Sequence, residues 1–235
     1  GHFLGHFRDV HIQTLDDKAC KSAIPKREGV SSLVNSRPLD KFTFEELVKL
    51  NSRGAGIYFT PNRFGERRLS KECLGVNAWI VEMDKETKSQ QWQRLLRCPL
   101  GPSAIIETRN SYHCYWMAKD GRIENYGRIV KGLIQYFNGD PACKDISRVF
   151  RIPGFFHNKQ EPFEVKVELD MFDEYAEKEM MEWFPYEEKK FESIIKNGPI
   201  TEGLGFWEAA SRLDNRQMLE RMSGSYVVNG EAFSF

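Results

Sequence analysis

The order in which β-rich runs and helical stretches follow one another constrains this chain more than any other feature. Residues 76–83 form a short apolar run with Val, Trp and Ile, the length and composition of a buried strand. Residues 90–97 suit a helix that ends before Pro99. Residues 104–107 and 112–117 are β-rich runs around Arg109-Asn110-Ser111, which predicts a hairpin. Residues 123–137 place Ile129, Leu133, Ile134 and Phe137 near the helical period and stop at Asn138-Gly139. Residues 165–169 alternate as a strand, and residues 175–183 follow as a helix. Upstream, Thr43 with Glu46 makes a capping box that opens a helix over 44–50, and residues 56–60 read as a strand stopped by Pro61-Asn62. One αβ unit is therefore followed by βαββαβ. That is the split βαβ pattern of an α+β, ferredoxin-like or RNA-recognition-motif palm.

This order divides the chain into an N-terminal extension (1–40), the palm with its αβ unit (41–185) and a C-terminal helical region (186–235). The extension is polar, contains Pro25 and Pro38, and carries little periodic signal. The last region reads as helical over 206–222 with a break at Ser223-Gly224, the start of something that continues in a longer protein.

Composition narrows the function classes. With 235 residues, 40% of them hydrophobic and 29% charged, the chain has the make-up of an ordinary globular protein. No apolar run approaches the roughly 18 residues that a membrane span needs. The five cysteines are odd in number and show no C-x-x-C spacing, which argues for a reducing cytoplasm over a disulfide framework. Net charge is zero, but its distribution is uneven. Residues 109–159 hold nine Lys/Arg against four Asp/Glu, and residues 161–192 hold four against twelve. A basic middle of this kind can face a polyanion, or be ordinary solvated surface.

Three short motifs carry chemistry. Glu82 and Asp84 end a predicted strand two residues apart, so both carboxylates project to one side. Such a pair repels itself unless a cation sits between its members, which is how hard divalent ions are held for phosphoryl chemistry; solvated surface acids are the alternative. Ser111 and His113 flank Tyr112 on the second hairpin strand and share one side of it. They suit a phosphate oxygen, or the histidine is a satisfied core residue. Finally, Asp145 is followed by Arg148, Arg151 and a Pro153-Gly154 turn. Two guanidinium groups suit a triphosphate and the carboxylate suits a metal site, unless these are salt-bridged surface residues.

In this order, acid pair, S-x-H, then D-x-x-R-x-x-R-x-P-G, the set resembles the archaeo-eukaryotic primase superfamily. Residues 58–62, 112–116 and 148–154 look like the RepB-type primase-polymerases of plasmids, phages and CRISPR loci, with the CRISPR-associated primase-polymerases the nearest subgroup. The resemblance runs over about residues 57–159. It implies a template-dependent nucleotidyltransferase that starts DNA primers de novo and extends them, on a palm followed by helices. It implies two divalent ions, Mg²⁺ or Mn²⁺, held by Glu82, Asp84 and Asp145, which together form the catalytic centre. Ser111, His113, Arg148 and Arg151 would hold the incoming ribo- or deoxyribonucleoside triphosphate. Partners would be a single-stranded DNA template, a primer strand, and CRISPR adaptation or replication proteins. Arg63, Arg67, Arg68 and Lys71 form a basic loop that would follow the template backbone. Tyr115 and Tyr136 are candidates for sensing the sugar 2′ position. Glu82 stands where the superfamily motif begins with Asp, which leaves metal preference open. A metal-dependent nuclease and a non-catalytic replication-initiator module that binds DNA are the rival readings.

Overall fold

A computed structural model describes residues 3–17 and 33–186 in full, and the backbone of residues 225–228 and 231–234. Two compact units divide the chain: Gly1–Arg97 with Pro102–Tyr186, and Cys98–Gly101 with Glu187–Phe235. In the second, the antiparallel strands Ser225–Val228 and Glu231–Ser234 form a hairpin. The helix expected over 206–222 lies outside the described residues.

The first unit contains two sheets. One has the order β2-β1-β3-β9, where β1 is His11–Asp16, β2 Asn35–Pro38, β3 Ala55–Phe59 and β9 Phe150–Arg151. Residues 11–16, assigned above to an extension, are therefore a strand between two others. All four of its first residues, His11 to Thr14, are buried. The short strands β4 (Arg63–Phe64) and β5 (Cys73–Gly75) pair with each other in the loop that follows β3.

The second sheet is the palm. Strand β8 (Tyr112–Ala118) pairs antiparallel with both β6 (Ala78–Met83) and β7 (Ala104–Glu107). This is the 1-3-2 arrangement that a split βαβ predicts. The fourth strand, β12 (Lys166–Asp170), departs from the ferredoxin-like order: it pairs with β7, not β6. The edge of β6 is covered at Glu82 by the chain just after α3 (Ile123–Phe137). There the Glu82 N–H donates to Cys143 Sγ at 3.3 Å, and its carbonyl accepts from the Asp140 N–H at 2.8 Å.

Among the described residues the helices form close to where the sequence places them. Thr43 caps α1 (Phe44–Ser52) by accepting from the Glu46 N–H, and Thr87 with Gln90 completes a capping box on α2 (Lys88–Leu96). Asn138 ends α3 in the left-handed region at φ 53°, and α4 spans Glu177–Trp183. Alternation along β8 then assigns its two faces. Trp116 packs under the helical layer, 5.5 Å from the Phe137 ring and 5.6 Å from Phe184. On the other face His113 and Tyr115 meet the first sheet, against Phe150 at 5.3 and 6.1 Å. The core therefore has two layers, and residues on the His113 face look into the seam between the sheets.

Candidate active site

Where that seam opens, a cleft of about 340 Å³ is lined by Glu82, Asp84, Ser111, His113 and Arg148, among others. Its acidic end is built on paired strands. Glu82 on β6 and His113 on β8 are register partners, and His113 Nε2 lies 3.4 Å from Glu82 Oε1. The Ser111 hydroxyl donates to the same oxygen at 3.3 Å. Arg148 Nη2 reaches the other, Oε2, at 3.4 Å. Burial pushes the Glu82 carboxyl up, but His113 and Arg148 outweigh it and hold its pKa at about 2. Asp84, exposed just past the strand end, is shifted the other way. Partial burial and the like charges of Glu82 and Asp140 raise it. His113 is only 3% exposed, and its Nδ1 has no hydrogen-bond partner among the described residues.

The third carboxylate near this pair is Asp140, which the sequence reading passed over. The Gly139 N–H donates to Ile134 O at 3.0 Å, and the next N–H, of Asp140, donates to Glu82 O. So close an approach to β6 requires glycine. A Cβ at 139 would stand 2.3 Å from Val81 Cγ2 and 3.0 Å from Glu82 O. Asp140 Oδ2 then accepts from Arg148 Nη2 at 2.5 Å, and one guanidinium spans both acids. Neither Asp140 nor Asp145, expected as the third metal ligand, is among the cleft-lining residues, but Asp140 shares Arg148 with Glu82 whereas Asp145 is held elsewhere. Its Oδ1 accepts from the Ser147 N–H at 3.0 Å, the Ser147 hydroxyl at 2.8 Å and the Ser70 hydroxyl at 3.0 Å. Burial opposes ionisation there, but these donors and Arg68 keep its pKa low.

The far end of the cleft is basic, lined by Arg109, His157 and Lys159. The chain reverses after β9, and β10 (Phe156–His157) brings these last two residues back; the Pro153-Gly154 turn was the only sequence signal for this. Among the described residues neither ring nitrogen of His157 has a hydrogen-bond partner. Burial and the nearby Arg151 lower its pKa to about 4, so the ring is neutral at pH 7. Arg151, expected to grip the triphosphate, is 5% exposed and gives both terminal nitrogens to Asp17 at 2.9 Å. It also stacks over Tyr58, 4.5 Å from the ring centre, while the Tyr58 hydroxyl donates to Asp17 at 2.9 Å. Arg151 thus braces the cleft wall.

The basic loop is largely self-satisfied. Arg63 pairs with Asp9 at 2.7 Å, and Arg67 Nε donates to Glu72 at 3.1 Å. Arg68 donates to Ser147 O at 2.7 Å and Gln13 Oε1 at 3.2 Å, while Lys71 is exposed. Neither tyrosine proposed for sugar sensing lines the cleft. Tyr115 is fully buried between the sheets, and the Tyr136 hydroxyl donates to Arg97 O at 2.7 Å.

Comparison with known proteins agrees with this architecture. Residues 48–182, more than half of the chain, match the RepB DNA-primase N-terminal domain, and the chain belongs to that family. Among solved structures it is similar to the archaeo-eukaryotic primase domain of the cyanophage S-2L primase-polymerase. The TM-score is 0.62 at 19% identity, covering 78% of this chain and 95% of that one. It is also similar to primase RepB' (TM-score 0.54, 14% identity, 94% of this chain and 67% of that one). The catalytic domain of RepB' in complex with initiator DNA matches with a TM-score of 0.50 at 16% identity, over 73% and 82% of the two chains. At these identities the likeness is one of fold. No curated protein matches the chain. Among the described residues no helix is long and apolar enough to cross a membrane.

Proposed function

We propose that this chain is the catalytic core of a DNA primase-polymerase, a nucleotidyltransferase that joins nucleoside triphosphates on a single-stranded DNA template, both starting primers and extending them. The observation that carries the reading is one cleft with acids at one end, Glu82, Asp84 and nearby Asp140, and cations at the other, Arg109 and Lys159. Membership of the primase family supports it. Nothing in the matches bears on the CRISPR-associated subgroup.

A metal site fits the donor chemistry. The three carboxylates are an all-oxygen set suited to a hard cation, and Arg148 spans Glu82 and Asp140 with the positive charge they require. Among the described residues no three such side chains are gathered tightly enough to enclose an ion as they stand. We assign Glu82, Asp84 and Asp140 as the residues that would hold Mg²⁺ or Mn²⁺, with Asp140 in the place that the sequence alone gave to Asp145. The bound ions would supply positive charge to the reacting hydroxyl and the triphosphate.

The chain's own residues position the substrate. Lys159, Arg109 and neutral His157 present donors to the phosphates, and His113 with Ser111 holds Glu82 in place. The primer 3′-oxygen forms a bond to the α-phosphorus, and the α–β P–O bond breaks. Pyrophosphate leaves with the electron pair, and the hydroxyl proton passes to solvent. Incubation with single-stranded template, all nucleotides and Mn²⁺ tests the reading. Products longer than the primer, or new primers, support it. A shortened template means a nuclease, and a bound but unchanged template means an initiator module; either overturns it.

A further inference from the structure

Outside the cleft, on the helix-covered side of the hairpin turn at 108–111, lies an open groove lined by Lys88, Trp92 and Tyr112, among others. Trp92 is 37% exposed although it is a large aromatic, and its ring centre lies 5.5 Å from that of Tyr112. Lys88 Nζ sits 5.0 Å from the ring centres of both Tyr112 and Phe163. Arg109 in turn stacks on Phe163 at 5.9 Å and lines the cleft. Phe163 on β11 (Phe163–Glu164) links the groove to the cleft: Lys88 of the groove and Arg109 of the cleft both flank its ring, and it is the register partner of His157 on β10. Aromatic and cationic side chains thus alternate from Trp92 round the hairpin to the basic wall.

Rings at the edge of a groove interleaved with cations are what unpaired nucleic acid binds. Every base has a π-face to stack, and the cations meet the phosphates between. Duplex DNA buries those faces and has no use for the track. Charge alone is not the attraction, because Lys88 is ion-paired with Glu107 and Glu168 also lines the groove. We propose that this groove is the binding path for the unpaired single strand entering the cleft, with Trp92 and Tyr112 as base-stacking platforms, Lys88 as its phosphate contact and Phe163 where the path meets the cleft. The proposal rests on the primase-polymerase reading for what lies at the end of the path.

The test uses the full chain and a 12-residue oligothymidylate, with binding followed by fluorescence anisotropy over a range of salt. Loss of one base-stacking ring weakens single-strand binding by about 5- to 100-fold, so Trp92→Ala should fall in that range and Trp92→Phe should stay near wild type. Because a ring is lost and not a charge, the slope of log affinity against log salt should not change. Duplex binding and the thermal midpoint should also hold, since Trp92 is partly exposed. If wild type binds the oligonucleotide and Trp92→Ala binds it equally well, the groove is off the path and the proposal fails, with the primase reading intact. If wild type neither binds nor extends, both fail together.

Discussion

The backbone N–H of Asp140 donates to the carbonyl of Glu82 at 2.8 Å, and this bond brings the chain leaving α3 against the edge of the strand that carries the acid pair. It separates two carboxylates that sequence cannot rank. Asp140→Asn should lower primer extension by more than the roughly 10- to 100-fold that loss of an outer partner costs, because it removes a proposed ligand. Asp145→Asn, whose carboxylate accepts hydrogen bonds from Ser70 and Ser147, should keep activity within about that range. Extension rates for the two variants decide it; the reverse ranking would restore Asp145 to the site.

Gly139 is the hinge of that delivery. A methyl group there would have to displace Val81 or Glu82 O, at 2.3 and 3.0 Å. Gly139→Ala should cost about 1–3 kcal/mol, in the range of overpacked cores. Denaturant unfolding measures the loss. An unchanged midpoint would show that the chain after α3 can step away from β6.

Much of the palm was legible in the sequence, and the reason is locality. The helix at Ile123–Phe137 combines a full 3.6-residue period with an Asn-Gly stop just past its end, so its face and its C-terminus can be read from neighbouring residues. Strand β1 was missed because His11–Asp16 has no hydrophobic alternation to announce it; its four buried residues include His11, Gln13 and Thr14. The candidate site was half legible for the same reason. Glu82, Asp84, Ser111 and His113 come together through strand alternation and one hairpin, both local rules. The Asp17–Arg151 pair joins residues 134 apart, so no local rule shows that this cleft-lining arginine is held by a buried acid.

That brace sets a pH dependence. Burial acts against the Asp17 carboxylate, but Arg151, the Asn158 N–H and Tyr58 lower its pKa below the ordinary value. The unfolded chain therefore binds this proton more readily than the folded one. The stabilisation is present in full above pH about 4 and is lost as pH falls through the lowered folded value. Asp17→Asn should flatten that acid limb. At neutral pH, leaving Arg151 buried and unpaired should cost about 3–5 kcal/mol. Urea unfolding of both proteins from pH 3 to 7 measures both effects, and parallel acid limbs would refute the assignment.

Nucleotide binding should follow the basic wall. Lys159→Ala removes a cation placed at the cleft, and loss of a charge-assisted hydrogen bond costs about 1.5–3 kcal/mol, roughly one to two decades of affinity. Calorimetric titration with a non-hydrolysable triphosphate, without template, should show this loss for Lys159→Ala while oligonucleotide affinity holds. A fall in oligonucleotide affinity alone would move Lys159 onto the template path.

The loop at residues 63–71 gives the opposite expectation to the one its charges suggest. Sequence offers four cations for a template backbone, but three already have partners in the fold. Arg68 is the most committed, tied to Ser147 O and Gln13. Arg68→Ala should therefore act on stability, by about 1.5–3 kcal/mol for hydrogen bonds to a charged group, and leave the salt slope of oligonucleotide binding unchanged. Arg67 is different: its pair with Glu72 is on the surface, where such pairs are worth about 0–1 kcal/mol and can exchange for a phosphate. Arg67→Glu should thus flatten the slope by at most about 0.7, the share of one single-strand phosphate. Binding titrations at several salt concentrations, set beside unfolding curves, separate the two residues. A flattening near 1.4 for the double variant Arg67→Glu/Arg68→Glu, two phosphates at about 0.7 each, with no loss of stability would put the loop back on the template.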